Sequence, residues 1–335
     1  MSGVEARPRP LSVAVVQGGP ASEAEVSRAS AASVARGLEQ AGHRAVRLEL
    51  DAHLAESLRT GGFEVVFPVA HGAVGEDGSL QGLLEVLALP YVGSGVLASA
   101  LAMDKRTAKI LFAEAGLPIA RAIAARRGAA SAIDQADRAL AELGDALVVK
   151  PCANGSAIGV ARFSGGASAR ELADAIDAAW AVDDVALVEV FAPGREVTCG
   201  VFDLREPAWL PPTEIRSPSD AFYTYQARYA PGRSEHLCPA PIGEALTRRV
   251  QEIAVAAHRA LGCRDLSRVD FVVPDDGDPT LLEVNTMPGF TDTSLYPEAA
   301  GVAGIAMPEL ASSLVRAAFA RGAARRNAPL PLPRA

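Results

Sequence analysis

The densest run of chemistry-bearing residues is Ser267-Arg-Val-Asp-Phe-Val-Val, followed by the turn-forming Pro274-Asp-Asp-Gly-Asp-Pro and then Thr280-Leu-Leu-Glu-Val-Asn. Its apolar–polar alternation reads as the two strands of a hairpin. With the turn centred on Asp276-Gly277, Asp270 lies opposite Glu283 and Arg268 opposite Asn285. The two-residue strand period then gathers all four on one face. Directly opposed carboxylates repel unless a cation joins them. Two carboxylates and an amide oxygen suit a hard divalent ion such as Mg²⁺, with the remaining positions left to water or phosphate. Mixed charges on one strand face also suit a solvated surface hairpin, so the hairpin alone leaves both readings open.

Three other segments carry candidate chemistry. After Lys150, the loop Pro-Cys-Ala-Asn-Gly-Ser-Ala-Ile-Gly places Gly155 and Gly159 where backbone N–H groups can approach phosphate, with the lysine adding a cation. It lacks the G-x-x-x-x-G-K-[ST] pattern, and a plain turn would read the same way. His71 begins His-Gly-Ala-Val-Gly-Glu-Asp-Gly directly after an apolar run, where α/β sheets present ligand groups at strand carboxyl ends, although a lone histidine also serves as a hydrogen-bonded structural residue. Phe222-Tyr-Thr-Tyr-Gln-Ala-Arg-Tyr229 is either a packed aromatic loop or a lid that excludes water.

The elements that must position these groups follow from the pattern. Leu11–Gln17 is an apolar, β-branched strand ending in Gly18-Gly19, and Ser22 is placed to cap an alanine-rich helix reaching Gly42. Strands at Val46–Leu50 and Glu64–Ala70 complete the signature of a parallel sheet flanked by helices, closing near Tyr91-Val92-Gly93-Ser94. A helical segment covers Ala98–Ala115. From Ala120 to Trp180 the chain reads as helical, broken only by a strand at Ala146–Lys150. A further strand at Ala186–Phe191 opens the last region, and the basic, Pro/Ala-rich end from about residue 320 reads as frayed.

Composition bounds the function. At 335 residues the chain exceeds one ordinary core. Its 49% hydrophobic and 21% charged residues exclude a disordered or fibrous protein, and a net charge of −8 argues against a general nucleic-acid binder. No apolar run approaches the roughly 18 residues of a membrane span, and the first ten residues lack a signal-peptide core, so a cytoplasmic chain without a membrane partner is expected. Cys152, Cys199, Cys238 and Cys263 are scattered, suggesting reduced thiols rather than zinc ligands or disulfides.

Taken in order, these pieces resemble the D-alanine:D-alanine ligases of the ATP-grasp superfamily from about Val13 to Leu314. The motifs are Gly18-Gly19-x-x-x-Glu23-x-Glu25-Val26-Ser27, His71-Gly-x-x-Gly-Glu-Asp-Gly, Gly93-Ser-Gly, Met103-Asp-Lys105, Lys150-Pro, Tyr-x-x-Arg-Tyr229, Arg268-Val-Asp270 and Glu283-Val-Asn285-Thr-Met-Pro-Gly289. The resemblance implies a three-domain α/β and α+β fold with a Rossmann-like N-terminal sheet. The expected divisions are 1–94, 95–188 and 189–335, the last carrying the metal hairpin and lid loop. It implies ATP-driven phosphorylation of one D-alanine carboxylate and attack by the amine of a second, for peptidoglycan synthesis, in a homodimer.

Roles follow by the same match. Lys105, Lys150 and the Gly155–Gly159 loop would handle phosphates. Glu189 and the backbone near Phe191 would meet adenine, and Glu196 the ribose. Arg228 stands where a lysine usually precedes the lid tyrosine. Mg²⁺, with Mn²⁺ as an alternative, would sit on Asp270, Glu283 and Asn285. Glu23 would pair with the first ammonium and His71 with its carboxylate, while Ser294 and the Leu295 backbone would hold the second carboxylate. Arg268 and the Gly289 N–H would form the oxyanion hole, and Ser156 and Tyr229 would tie the lid to Glu23. Ala24, Ala73-Val74, Ala157 and Val190 also depart from the usual pattern. Positions 24, 73 and 74 motivate one alternative, a ligase joining other amino acids in secondary metabolism; a second, a silent nucleotide-binding homologue, is disfavoured by the intact metal face and both lysines. Tyr229 disfavours the D-alanyl-D-lactate branch.

Overall fold

A computed structural model describes residues 9–217 and 234–323. Three sheets organise them. The first is parallel, in the order β2-β1-β3, formed by β1 (Ser12–Gln17), β2 (Arg44–Glu49) and β3 (Val65–Pro68). Val13 to Val16 of β1 are wholly buried, as a central parallel strand covered on both faces must be. Helix α1 (Ala24–Gln40) covers one face through Ala31, Val34 and Leu38. Its N-cap is Glu23 rather than Ser22, and no side chain caps it. Helices α2 (Leu54–Thr60) and α3 (Ser79–Val86) supply Leu54, Leu58, Leu80 and Leu84 to the other face.

The expected single helix over 98–115 is instead two, α4 (Val96–Met103) and α5 (Lys105–Glu114). Asp104 lies between them in an extended conformation, and its side chain accepts from Thr107 N at 2.7 Å, the geometry of an N-cap. The break sets Lys105 at the first position of α5.

The stretch 120–180 holds more strand than expected. An antiparallel sheet in the order β4-β7-β5-β6 uses β4 (Ala122–Arg126), β5 (Leu147–Pro151), β6 (Ala161–Phe163) and β7 (Val185–Val190). Helices α6 (Ala132–Leu143) and α7 (Ala169–Trp180) pack on it through Ala136, Ala139, Leu172 and Ile176. Alanine-rich β4 has one β-branched residue, Ile123, and its pairing with β7 overrides propensity.

The third sheet, also antiparallel, has the order β10-β9-β8-β11-β12, from β8 (Arg195–Phe202), β9 (Thr213–Arg216), β10 (Glu235–Leu237), β11 (Leu266–Val273) and β12 (Thr280–Asn285). Its two faces divide the labour. Val197, Cys199 and Val201 of β8 with Val269, Phe271 and Val273 of β11 share a core with α5 and with α8 (Glu244–Ala260). The strand period therefore turns Glu196, Thr198, Arg268 and Asp270 to the opposite face.

Hydrophobic clusters cross the expected divisions at 94 and 188. Ala108 and Phe112 of α5 join the third sheet's core, because α6 and α7 already cover the second sheet. Helices α9 (Leu295–Val302) and α10 (Met307–Arg321) return to the first sheet through Ala299, Leu310 and Leu314. Residues 320 and 321 are thus helical rather than frayed, with the Arg321 guanidinium on both oxygens of buried Asp265. All four cysteines are unpaired. Among the described residues no single helix is long and apolar enough to cross a membrane; α9 and α10 pass that test only together and are bent by 104°.

Candidate active site

Two cavities adjoin. One, of about 390 Å³, is bordered by the loops after β1 and β3, the glycine loop after β5, and the β11–β12 hairpin with the loop that follows it. The other, of about 140 Å³, lies between the second and third sheets. Lys105, Asn154, Gly155 and Glu283 line both. A group passing between the cavities therefore meets a buried ammonium, a carboxylate and the glycine loop.

The hairpin has the expected register where the chemistry lies: Arg268 pairs with Asn285 and Asp270 with Glu283. Nearer the turn the register slips by one, Phe271 facing Leu281, so that the bulge falls just beside the carboxylates. Arg268 forks onto Asp270, Nε to Oδ1 at 2.9 Å and Nη2 to Oδ2 at 2.8 Å. Thr198, opposite Asp270 on β8, donates its hydroxyl to Oδ1 at 2.6 Å. Lys105 Nζ is 3.2 Å from Glu283 Oε2 and donates to Asn154 O at 2.8 Å. The Asn285 side-chain oxygen accepts from Met287 N. Each carboxylate already has a cation, Arg268 on Asp270 and Lys105 on Glu283, which holds the two side by side. Two carboxylates and an amide oxygen on adjacent strands fit a hard divalent ion. No group of three or more His, Cys, Asp or Glu residues forms a separate cage among the described residues.

In the smaller cavity Lys150 bonds one oxygen of Glu189, while Lys109 Nζ lies 3.0 Å from the other. Burial pushes the Glu189 carboxyl pKa up, but Lys150 and Lys109 outweigh it and hold it below the usual range. Phe191 lines the same space, as does Glu196, which pairs with Arg162 at 2.7 Å. Gly155 lies on the boundary, where a Cβ would come 3.2 Å from Glu23 Oε2 and press on that carboxylate. Gly159 does not line either cavity. It turns at φ +72° beside Pro151 and serves the loop's shape.

In the larger cavity Ser156 donates its hydroxyl to Glu23, joining the glycine loop to the loop after β1. Ser156 and Ala157 both hold left-handed φ values, near +52° and +56°, a costly pair for residues with a Cβ. His71 is buried, with Nδ1 3.6 Å from Glu76 Oε2. Burial lowers the imidazole pKa, yet Glu76 and Glu23 outweigh that and raise it above its ordinary 6.5. The protonated ring therefore stabilises the fold fully below about pH 6.5, and this contribution is lost as pH rises through the folded-state pKa. Glu76→Gln should bring the His71 titration, followed by proton NMR, down to lower pH. An unchanged titration would show that Glu76 does not hold the charge.

The loop from Thr286 to Ser294 is anchored by Phe290, packed edge-on against Phe67 with ring centres 5.4 Å apart and with its N–H donated to Ser30 Oγ. This fixes the backbone of neighbouring Gly289, where a Cβ would meet Ser294 Oγ at 2.9 Å. Ser294 is the N-cap residue of α9 but makes no side-chain cap; its Oγ instead accepts from Thr291 N. No side chain caps the amides of α9's first turn, Leu295 included, which suits them to an anion.

Glu23, His71, Ser156, Gly289, Ser294 and Leu295 thus line the larger cavity, Lys150, Glu189, Phe191, Glu196 and Asp270 the smaller. Arg268 and Asn285 also border the larger one. Tyr229 and Arg228 lie outside the described residues. Sequence reasoning missed Lys109, Thr198, Glu76 and Arg162. Lys109 was signalled by its four-residue spacing from Lys105 on one helix; Thr198 carried no local signal.

Comparison with known proteins gives one answer. The family model described as D-ala D-ala ligase C-terminus matches residues 111–316, and that described as D-ala D-ala ligase N-terminus matches 45–94. The D-alanine–D-alanine ligase of Desulforudis audaxviator is 43% identical over 310 residues, 92% of this chain and 99% of the relative. That of Anaeromyxobacter sp. (strain K) is 44% identical, covering 90% of this chain and 95% of its own. The crystal structure of a D-alanine–D-alanine ligase from Bacillus anthracis complexed with ATP superposes with a TM-score of 0.79 at 28% identity, covering 92% of this chain and 98% of that one. With the N-terminal and C-terminal family models both matched, and relatives above 40% identical over about nine-tenths of its length, the chain belongs to the D-alanine–D-alanine ligase family, on the α/β ATP-grasp fold.

Proposed function

We propose that this chain is a Mg-ATP-dependent ligase that joins two D-alanines into D-alanyl-D-alanine for peptidoglycan synthesis. The observation that carries the reading is the shared border of the two cavities. Lys105 and Glu283 face both, setting a carboxylate in one beside a phosphate in the other.

In this reading ATP occupies the smaller cavity. Glu189 and the backbone near Phe191 meet the base, Glu196 meets the ribose after giving up Arg162, and Lys150 and Lys105 neutralise phosphate charge. Asp270, Glu283 and Asn285 would hold Mg²⁺, which when bound would offset charge on the transferring phosphoryl group. Glu23 binds the ammonium of the first D-alanine and protonated His71 attracts its carboxylate. That carboxylate attacks the terminal phosphorus, and ADP leaves. The second D-alanine is held by its carboxylate at Ser294 and the first turn of α9. Its amine attacks the acyl phosphate, Arg268 and the Gly289 N–H receive the charge on the tetrahedral oxygen, and phosphate leaves. The Ser156–Glu23 bond keeps the glycine loop over the site. A three-unit chain divided near 94 and 188, acting as a cytoplasmic homodimer, belongs to the same proposal.

Phosphate release from ATP across a panel of D- and L-amino acids, with products identified by mass, tests this. Release should depend on D-alanine and yield its dipeptide. Turnover only with another amino acid, or ATP hydrolysis indifferent to amino acids, would overturn it.

A further inference from the structure

Helix α5 places Lys109 one turn beyond Lys105, with its ammonium against Glu189. Lys109, Glu189 and Lys150 are each more than nine-tenths buried, at 7%, 3% and 9% exposure. Two cations share one carboxylate, so the cluster carries one positive charge that nothing within it balances. Its members face different ways. Lys150 and Glu189 line the nucleotide cavity, whereas Lys109 borders a separate groove behind them, beside Arg106 and Arg121. Of the two lysines, only Lys150 is therefore set to meet a phosphate.

We propose that Lys109 is a positioning residue for the nucleotide, the resident counter-ion that keeps Glu189 ionised and aimed at the base when Lys150 turns to the phosphates. The inference rests on the assignment of Glu189 to adenine made above. Its physical basis is the cost of a lone buried charge. If Lys150 left Glu189 with no other cation, the carboxylate would be stranded, and either Lys150 would stay with it or the carboxyl would take up a proton and lose an acceptor. Lys109 Nζ lies 3.0 Å from Oε2 while Lys150 takes Oε1, so it can hold the carboxylate and leave Oε1 to the base when Lys150 turns away. Burial and the repulsion from Lys150 both lower the Lys109 pKa, and Glu189 opposes them. A phosphate that draws off the Lys150 charge relieves that repulsion and tightens the Lys109–Glu189 contact. Nucleotide binding and this contact therefore reinforce one another.

The test is calorimetric binding of Mg-ADP and Mg-GDP to the full chain and to Lys109→Met, Lys109→Arg, Glu189→Gln and the Lys109→Met/Glu189→Gln double variant. Lys109→Met should weaken ADP binding by about tenfold and narrow the preference for ADP over GDP, as expected of a typical coupling energy. The KM for ATP should rise while that for D-alanine stays unchanged, and Lys109→Arg should recover most of the loss. The double variant should bind ADP no more weakly than Glu189→Gln alone, a comparison that stands even if Lys109→Met folds poorly. Parental ADP affinity and base preference in Lys109→Met, whatever its melting temperature, would overturn the proposal. So would full additivity in the double variant. A parent chain that binds ADP but shows no D-alanine-dependent turnover would contradict the proposed function and leave the Lys109 result to be judged separately.

Discussion

Glu283→Gln is expected to lower kcat by on the order of 10³-fold, the scale of several kcal/mol of charge stabilisation at a transferring phosphoryl group. The side chain keeps its size, so the β11–β12 pairing should survive. What changes is charge at a position facing both cavities, directly across from Asp270 and 3.2 Å from Lys105. With Glu283 neutral, Asp270 is the only anionic donor left in the metal set. Single-turnover ATP cleavage would report the loss, and Mn²⁺ binding followed by electron paramagnetic resonance would weaken in parallel. A kcat within about threefold of the parent at saturating Mg²⁺ would show that the ion is held elsewhere.

Arg268→Lys is the second large effect, expected at about 10²–10³-fold in kcat, the loss typical of one oxyanion donor. A lysine keeps the charge but cannot reproduce the planar fork that meets both oxygens of Asp270. Two consequences follow: Asp270 loses its orientation, and the tetrahedral oxygen loses a donor. The KM for ATP should change far less than kcat, because Arg268 borders the amino-acid cavity and not the nucleotide one. A kcat within about fivefold of the parent, on the same scale, would remove Arg268 from the reaction.

The hairpin register was legible because a turn sequence and a two-residue period fix which side chains oppose one another. The bulge beside Asp270 was not, since it depends on how β11 fits β8 and β12 together. The parallel sheet could be read from the apolar centre of β1 and from β3. Strand β4, mostly alanine, could not, because only its pairing with β7 makes it a strand. The break at Asp104 was written in the sequence as a capping residue three before Thr107, hidden inside an otherwise continuous helical pattern. The loop after β5 brought Lys150 into view, and the family resemblance brought Lys105 and Glu189. Neither could reveal that a single buried carboxylate serves two lysines, because that is a property of α5 packing against the third sheet. The glycine loop was legible from its composition, but the positive φ at Gly159 beside Pro151 depends on how the loop folds back.

The central claim is that the first D-alanine is activated as an acyl phosphate, and oxygen tracing tests it most directly. With D-alanine carrying ¹⁸O in both carboxylate oxygens, attack on the terminal phosphorus and later loss of phosphate must transfer one labelled oxygen to inorganic phosphate and leave one in the peptide carbonyl. Mass analysis should find one ¹⁸O per phosphate, with ADP unlabelled. Unlabelled phosphate, or label appearing in AMP, would contradict the account.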